Sequence, residues 1–252
     1  MTITKYIILS ILYAITIPIS PTGHILLLKN IFNTNIFNHT YSFFILINTG
    51  IIFSITYILF KSSKKIKLSK QNIKLSLNNL INILLLTFIP LIITLLLKNL
   101  LPIIYKQPLK LIPITFIINA ILLFTNTKKN NQINKPKRIH FIITGIISSL
   151  SILPGLSNIL LLLSIFRIFK YDQNYAIKIT LITTLITSII LSTYYIKHIT
   201  LPLYPYIICI LTIAIISYYS LKEFITLYTN NKIKRLILYL ILISLFTMYW
   251  FR

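Results

Sequence analysis

The sequence predicts an all-α polytopic membrane protein, with about six transmembrane helices and two re-entrant helical segments arranged as an inverted repeat. Three observations carry this. The 252 residues are 56% hydrophobic, with a mean hydropathy of +0.86. Apolar runs recur at lengths near the roughly 20 residues that cross a hydrocarbon core. The 25 Lys and Arg stand against two Asp and Glu, and they cluster between the apolar runs. Such clusters mark cytoplasmic loops, where they set orientation. A nucleic-acid binder would instead spread its basic residues over one exposed face of a soluble core, so nucleic acid is not an expected partner.

The elements follow in order. The first apolar stretch, Ile3–Phe32, is interrupted at Pro18-Ile19-Ser20-Pro21-Thr22-Gly23. Three uninterrupted runs follow, at Tyr41–Phe60, Leu80–Leu101 and Leu111–Thr125. A second interrupted stretch, Phe141–Phe169, breaks at Pro154-Gly155. The last three runs are Ile179–His198, Leu201–Ser220 and Leu236–Trp250. The third and sixth uninterrupted runs are short and borrow length from their flanks. Proline and glycine in mid-run free backbone groups that lipid cannot satisfy, so both interrupted stretches read as discontinuous helices covered by protein or a wet cavity. No small-residue cleavage site follows the apolar N-terminus, so no removable signal peptide is expected.

Charge orients the chain. Lys61, Lys64, Lys65, Lys67, Lys70 and Lys74 form one basic loop, and Lys128, Lys129, Lys135, Lys137 and Arg138 a second. Lys222, Lys232, Lys234 and Arg235 form a third, and Arg167, Lys170 and Lys178 fall on the same expected face. That places eighteen of the 25 basic residues on one side, with Lys5, Lys29, Lys98, Lys106, Lys110, Lys197 and Arg252 opposite. The whole chain, residues 1–252, is expected to form one integral membrane domain, with inverted halves of about 1–127 and 128–252. Each half holds one broken segment and three spans, and the odd number of spans inverts the second copy.

Both breaks carry chemistry. A half-helix that starts after Pro18–His24 points unpaired N–H groups and a positive dipole end inward, an arrangement that binds anions. Ser20 and Thr22 add hydroxyls, and His24 adds an imidazole that can donate, accept or hold a proton. Leu153-Pro154-Gly155-Leu156-Ser157-Asn158 offers a second helix start with a hydroxyl and an amide. Together they suit a doubly charged headgroup such as a diphosphate. The same residue types also serve simply as caps and kinks, and spacing alone leaves both readings open. His39, His140 and His198 lie near interfaces and read as incidental. The single cysteine, Cys209, excludes a disulfide framework, and two carboxylates cannot build an oxygen-rich metal cage. Asp172, after Arg167 and Lys170, reads as a helix cap or their partner, and Glu223 as a solvated loop charge.

Residue by residue, the breaks resemble a known family. PISPTGH is similar to the P-[IV]-S-S-T-G-H signature of the bacterial undecaprenyl-diphosphatase, or bacitracin-resistance, family. SFFILINTG resembles the family's next segment, which ends in I-Q-x-G, with Asn48 for the Gln. GIISSLSILPGLSN is similar to its G-x-x-Q-x-x-A-x-x-P-G-x-S-R-S-G signature. All four glycines of the chain, Gly23, Gly50, Gly145 and Gly155, fall on glycine positions of that pattern.

The resemblance implies a fold of six spans and two re-entrant helical pairs in the bacterial inner membrane, with a site open to the periplasm. It implies hydrolysis of undecaprenyl diphosphate to the monophosphate and phosphate, which recycles the carrier for peptidoglycan synthesis and underlies bacitracin resistance. It assigns catalysis to His24, Ser20 and Thr22, substrate binding to Gly23, Gly155, Ser157 and Asn158, and a divalent cation (Mg or Ca) as cofactor. No protein metal ligand is assigned. The expected partners are the carrier lipid, the membrane and a second copy of the chain in a homodimer.

The chain departs from the family pattern at Ile11 and Ile15, where the family has glutamates, and at Pro21, where it has a second serine. Asn158 replaces the arginine of S-R-S-G, followed by Ile159 and Leu160. A bidentate Arg–phosphate contact is stronger than an amide can supply. The alternative expectation is therefore a catalytically inactive relic, or a lipid-carrier binding or transport protein, of the same fold.

Overall fold

Helix is the only open structure whose backbone satisfies itself inside lipid, and the apolar runs take it up throughout. The computed structural model of the protein describes residues 3–31, 40–65, 77–100, 102, 108–125, 136–196 and 203–250. Among these are ten α-helices and no strand. They are α1 (Ile3–Thr16), α2 (Pro21–Ile31), α3 (Thr40–Lys65), α4 (Leu77–Leu96), α5 (Pro108–Thr125), α6 (Arg138–Ser148), α7 (Asn158–Ile168), α8 (Gln173–Tyr195), α9 (Leu203–Thr229) and α10 (Lys234–Trp250). The expected breaks fall between α1 and α2 and between α6 and α7, where a short 3-10 turn, Ser149–Ile152, precedes Pro154. Parts of the basic loops (residues 66–76 and 126–135), together with His39, Lys106, Lys197, His198 and Arg252, lie outside the described residues.

Among the described residues, four stretches are long and apolar enough to cross a membrane: Asn79–Leu96, Pro108–Thr125, Gln173–Tyr195 and Tyr206–Thr229. Between 22% and 39% of each is buried inside the protein, so most of each surface is left for lipid. Leu95, Leu96, Ile121 and Leu211 on these helices are more than half exposed, as a lipid-facing belt requires. The protein is an all-helical, multi-pass membrane protein.

The described chain gathers into two compact units, each built from separated segments: residues 1–73 with 184–224, and residues 74–183 with 225–252. Helices α8 and α9 each run through a boundary, so both units draw on both halves of the sequence.

Within the first unit, α3 and α9 cross at Gly50. A Cβ there would lie 2.5 Å from Ile213 Cγ2 and 3.3 Å from the Ala214 nitrogen, so only hydrogen fits. Within the second unit, Gly145 of α6 lies against α4, where an added Cβ would meet Ile89 Cβ at 3.1 Å and the Leu85 carbonyl at 3.3 Å. Without a hydrophobic drive between helices in lipid, close packing at small residues holds such crossings together. Hydroxyls add direct ties: the buried Ser244 of α10 donates to the Pro113 carbonyl of α5 at 2.9 Å, and Ser220 of α9 to the Ile15 carbonyl of α1 at 2.6 Å.

The turn after α7 has no glycine to announce it. Tyr171 N–H donates to the Phe166 carbonyl and Lys170 N–H to the Arg167 carbonyl, the paired bonds of a Schellman stop. The left-handed position is Lys170, with φ 60°. Asp172 then caps α8, accepting from Tyr175 N–H at 3.1 Å, in keeping with its expected role. His140 stacks on Phe169 with ring centres 4.1 Å apart and lies 3.0 Å from the Tyr171 hydroxyl through Nδ1. Lys137 N–H donates to that hydroxyl at 2.9 Å, and the tautomer of His140 sets the direction of the bond between His140 and Tyr171. Burial pushes the Tyr171 phenol above its usual pKa, against the pull of the Lys137 N–H, which keeps it neutral.

Two substitutions test this packing by thermal unfolding in detergent. Gly50→Ala should lower stability by about 1–3 kcal/mol through overpacking, with Ile213→Ala recovering part of the loss in the double mutant. Lys170→Gly should raise stability by roughly 1 kcal/mol by removing left-handed strain.

Candidate functional site

The first break is closed in part by its own neighbours. The Thr16 hydroxyl turns back onto the Leu12 and Tyr13 carbonyls at 2.9 and 3.2 Å. The Thr16 carbonyl then accepts Ile19 N–H and Ser20 N–H, both at 3.0 Å, which closes the turn. Pro21 opens α2 at the first helical position, where its missing N–H costs nothing. The family pattern's serine at this point would have offered a hydroxyl; here the ring fixes the entry of the helix.

His24 sits on the first turn of α2, with 6% of its surface exposed. Its Nδ1 lies 2.6 Å from the Ser20 carbonyl. A carbonyl can only accept, so Nδ1 carries a proton, and whenever the ring is neutral its lone pair lies on Nε2. That is the tautomer of a general base, with the ring aimed by the backbone. The Ser20 carbonyl also accepts His24 N–H at 3.3 Å, tying ring and backbone to one anchor. Ser20 is fully buried, Gly23 is buried and Thr22 is half-buried. Ser20, Thr22, Gly23 and His24 thus lie together around one helix start in the first unit.

The second break lies in the second unit. Leu153 is extended (φ −68°, ψ 131°), and Gly155 adopts φ 92°, a left-handed conformation that favours glycine. Ser157 is the N-cap of α7: its Oγ accepts from Leu160 N–H at 3.3 Å. The N–H groups of Asn158 and Ile159, which follow, have no intrahelical acceptor. The Asn158 carbonyl oxygen is buried and accepts from no described residue. Turning the amide over would present Nδ2 at the same place, so Asn158 can offer a donor there. Gly155, Ser157 and Asn158 therefore share one helix start, as the spacing implied.

Sequence reading missed the side chains that hold this turn. Asn119 of α5 is fully buried; its Nδ2 donates to the Gly155 carbonyl at 2.8 Å, and its Oδ1 accepts from Ser157 N–H at 3.1 Å. Thr115, one helical turn earlier, donates to the Pro154 carbonyl at 3.0 Å. The available signal was a lone amide in an otherwise apolar run, which needs partners wherever it is buried.

A divalent cation does not fit the donors these residues offer. Hard cations take several oxygen ligands, usually with carboxylate charge. Both turns lack an acid, Ile11 and Ile15 are hydrocarbon, Asp172 is used as a cap, and Glu223 is exposed. Among the described residues, no group of three or more His, Cys, Asp or Glu comes together.

The fold and its two breaks define a helical multi-pass membrane protein with two interrupted, polar helix starts. The chain belongs to the family of the bacitracin resistance protein BacA, whose model matches residues 6–246. This is a family of undecaprenyl pyrophosphate phosphatases. No curated protein matches the chain.

Gly155→Ala should cost roughly 1–2 kcal/mol, because an L side chain is strained at that φ. Chemical denaturation of the purified protein measures it, with Gly23→Ala, at a helical position, losing less.

Proposed function

We propose that the protein is an inner-membrane hydrolase that converts undecaprenyl diphosphate to undecaprenyl phosphate and phosphate, recycling the lipid carrier for peptidoglycan synthesis. The observation that carries this reading is His24: within a chain that matches the phosphatase family almost end to end, it is a buried imidazole at a polar helix start, its Nδ1 held by the Ser20 carbonyl. In this reading the site faces the periplasm, and the reaction underlies resistance to bacitracin.

The chemistry needs one base and several donors. Water attacks the terminal phosphorus while its proton passes to His24 Nε2. A new P–O bond forms, the anhydride P–O bond breaks, and its electron pair leaves on the oxygen of the lipid monophosphate. His24 then returns the proton to the phosphate products. Ser20 and Thr22 donate hydrogen bonds to the phosphoryl oxygens. Gly23 and Gly155 let the backbone come close to the substrate. Ser157, Asn158 and the first N–H groups of α7 are donors of the kind that hold a phosphate at a helix start. No step is routed through a metal.

A second reading is favoured by specific residues. With Ile11, Ile15 and Asn158 in place of two acids and an arginine, the chain keeps a phosphate cradle without the groups that drive cleavage. It would then bind or carry the lipid without hydrolysing it.

Phosphate release from undecaprenyl diphosphate by purified protein separates the two. Hydrolysis should fall about 10²–10⁴-fold in His24→Ala, the range a general base supplies. Parent turnover no greater than that of the variant excludes the hydrolase. Hydrolysis gained only in Ile11→Glu/Ile15→Glu/Asn158→Arg would establish the binding reading instead.

A further inference from the structure

We propose that Asn119 is a positioning residue for the second helix start: from a neighbouring helix, its amide sets the direction in which Ser157, Asn158 and the first N–H groups of α7 face. The inference rests on the reading of that start as part of a diphosphate-binding site.

A primary amide near the middle of an apolar helix is costly to bury unless both ends find partners. Asn119 finds both on one turn. Its Nδ2 takes the Gly155 carbonyl at 2.8 Å and its Oδ1 takes Ser157 N–H at 3.1 Å, one on either side of Leu156. Thr115 lies four residues earlier on the same helix face and takes the Pro154 carbonyl at 3.0 Å. Asn119 therefore satisfies two backbone groups that helix geometry abandons at the break, and Thr115 shares its one hydroxyl proton between the Pro154 carbonyl and the Ile112 carbonyl of its own helix. Thr115 is 2% exposed, and Asn119 is fully buried. Asn119 therefore acts through the turn rather than on a ligand.

The clamp also sorts the donors of the turn. Ser157 N–H is committed to Asn119, and Leu160 N–H to Ser157 Oγ. Asn158 and Ile159 N–H come next, and their direction follows from where Asn119 holds residues 155 and 157. Only an amide meets the need at position 119. An aspartate would set a second acceptor against the Gly155 carbonyl, and a leucine would remove both bonds.

The test uses the full chain in detergent, with Asn119→Leu, Asn119→Asp and Thr115→Val, and with Thr125→Val as control. Thr125 bonds back onto the Leu122 carbonyl of its own helix. Hydrogen exchange is followed by mass spectrometry over residues 153–160, with and without inorganic pyrophosphate. In Asn119→Leu, exchange in that stretch should speed up roughly 10- to 100-fold, the factor that one or two lost buried hydrogen bonds carry. In Asn119→Asp it should speed up less, because one acceptor survives. Pyrophosphate should slow exchange of the stretch in the parent and in Thr125→Val, and fail to do so in Asn119→Leu and Asn119→Asp. Where the parent hydrolyses undecaprenyl diphosphate, the Asn119 variants should show a raised KM with kcat nearly kept.

Unchanged exchange in both Asn119 variants overturns the clamp. Equal pyrophosphate protection in parent and variants, or protection in neither, overturns its role in positioning the site. Absence of phosphate release in a parent that pyrophosphate does protect defeats the hydrolase reading alone and leaves Asn119 as proposed. Thr115→Val, which removes one bond at the edge of the clamp, keeps the test open if the Asn119 variants fold poorly.

Discussion

An interrupted helix inside a membrane must hand its abandoned backbone groups to something other than lipid. Each unpaired N–H or C=O left in hydrocarbon costs several kcal/mol, on the order of a small domain's whole margin of stability. Both breaks of this chain exist under that constraint, and the two meet it differently. The first has local bonds: the Thr16 carbonyl takes Ile19 and Ser20 N–H, and the Ser20 carbonyl takes both the backbone and the ring of His24. The second reaches outside itself, to Asn119 and Thr115 of α5. The polar groups that could do chemistry are the same ones that make the breaks tolerable.

That difference explains what could be read from the sequence. The apolar runs and both breaks were legible, because the bilayer imposes one length and proline and glycine punctuate it. Ser20, Thr22, Gly23 and His24 were legible as a group, because one short segment supplies both the turn and the partners that hold it. The roles of Asn119 and Thr115 were not, because their partners lie 36 to 39 residues away and no local pattern announces the pairing. The stop after α7 was hidden for another reason. Its left-handed position is held by Lys170 and its paired backbone bonds, where a glycine would have marked it. The division into two interleaved units was equally beyond periodicity, which sees helices but not which ones gather.

The scarcity of acids has a structural counterpart as well as a chemical one. With two carboxylates in the chain, ion pairing can do little to join helices, and the contacts seen are of other kinds. Glycine crossings at Gly50 and Gly145, hydroxyl-to-carbonyl bonds from Ser220 and Ser244, and one buried amide take that place. These are neutral groups that a low-dielectric interior accepts at modest cost once paired. One of the two acids, Asp172, is used as a helix cap.

The same preference for neutral groups bears on what His24 can do. In a site with arginine and glutamates, field and charge share the work of holding a phosphate and moving its proton. Here neither turn carries a fixed ionic charge, so an anion would be met by hydroxyls, amides and the N–H groups of helix starts. His24 is the titratable side chain within these turns, and the Ser20 carbonyl fixes the proton on its Nδ1. The bond that Nδ1 donates to the Ser20 carbonyl orients the imidazole. A substitution that preserved the ring but lost the Ser20 carbonyl would keep a histidine and lose its defined tautomer. The turn geometry at Pro18–Pro21 therefore belongs to any chemistry His24 performs as much as the imidazole itself does.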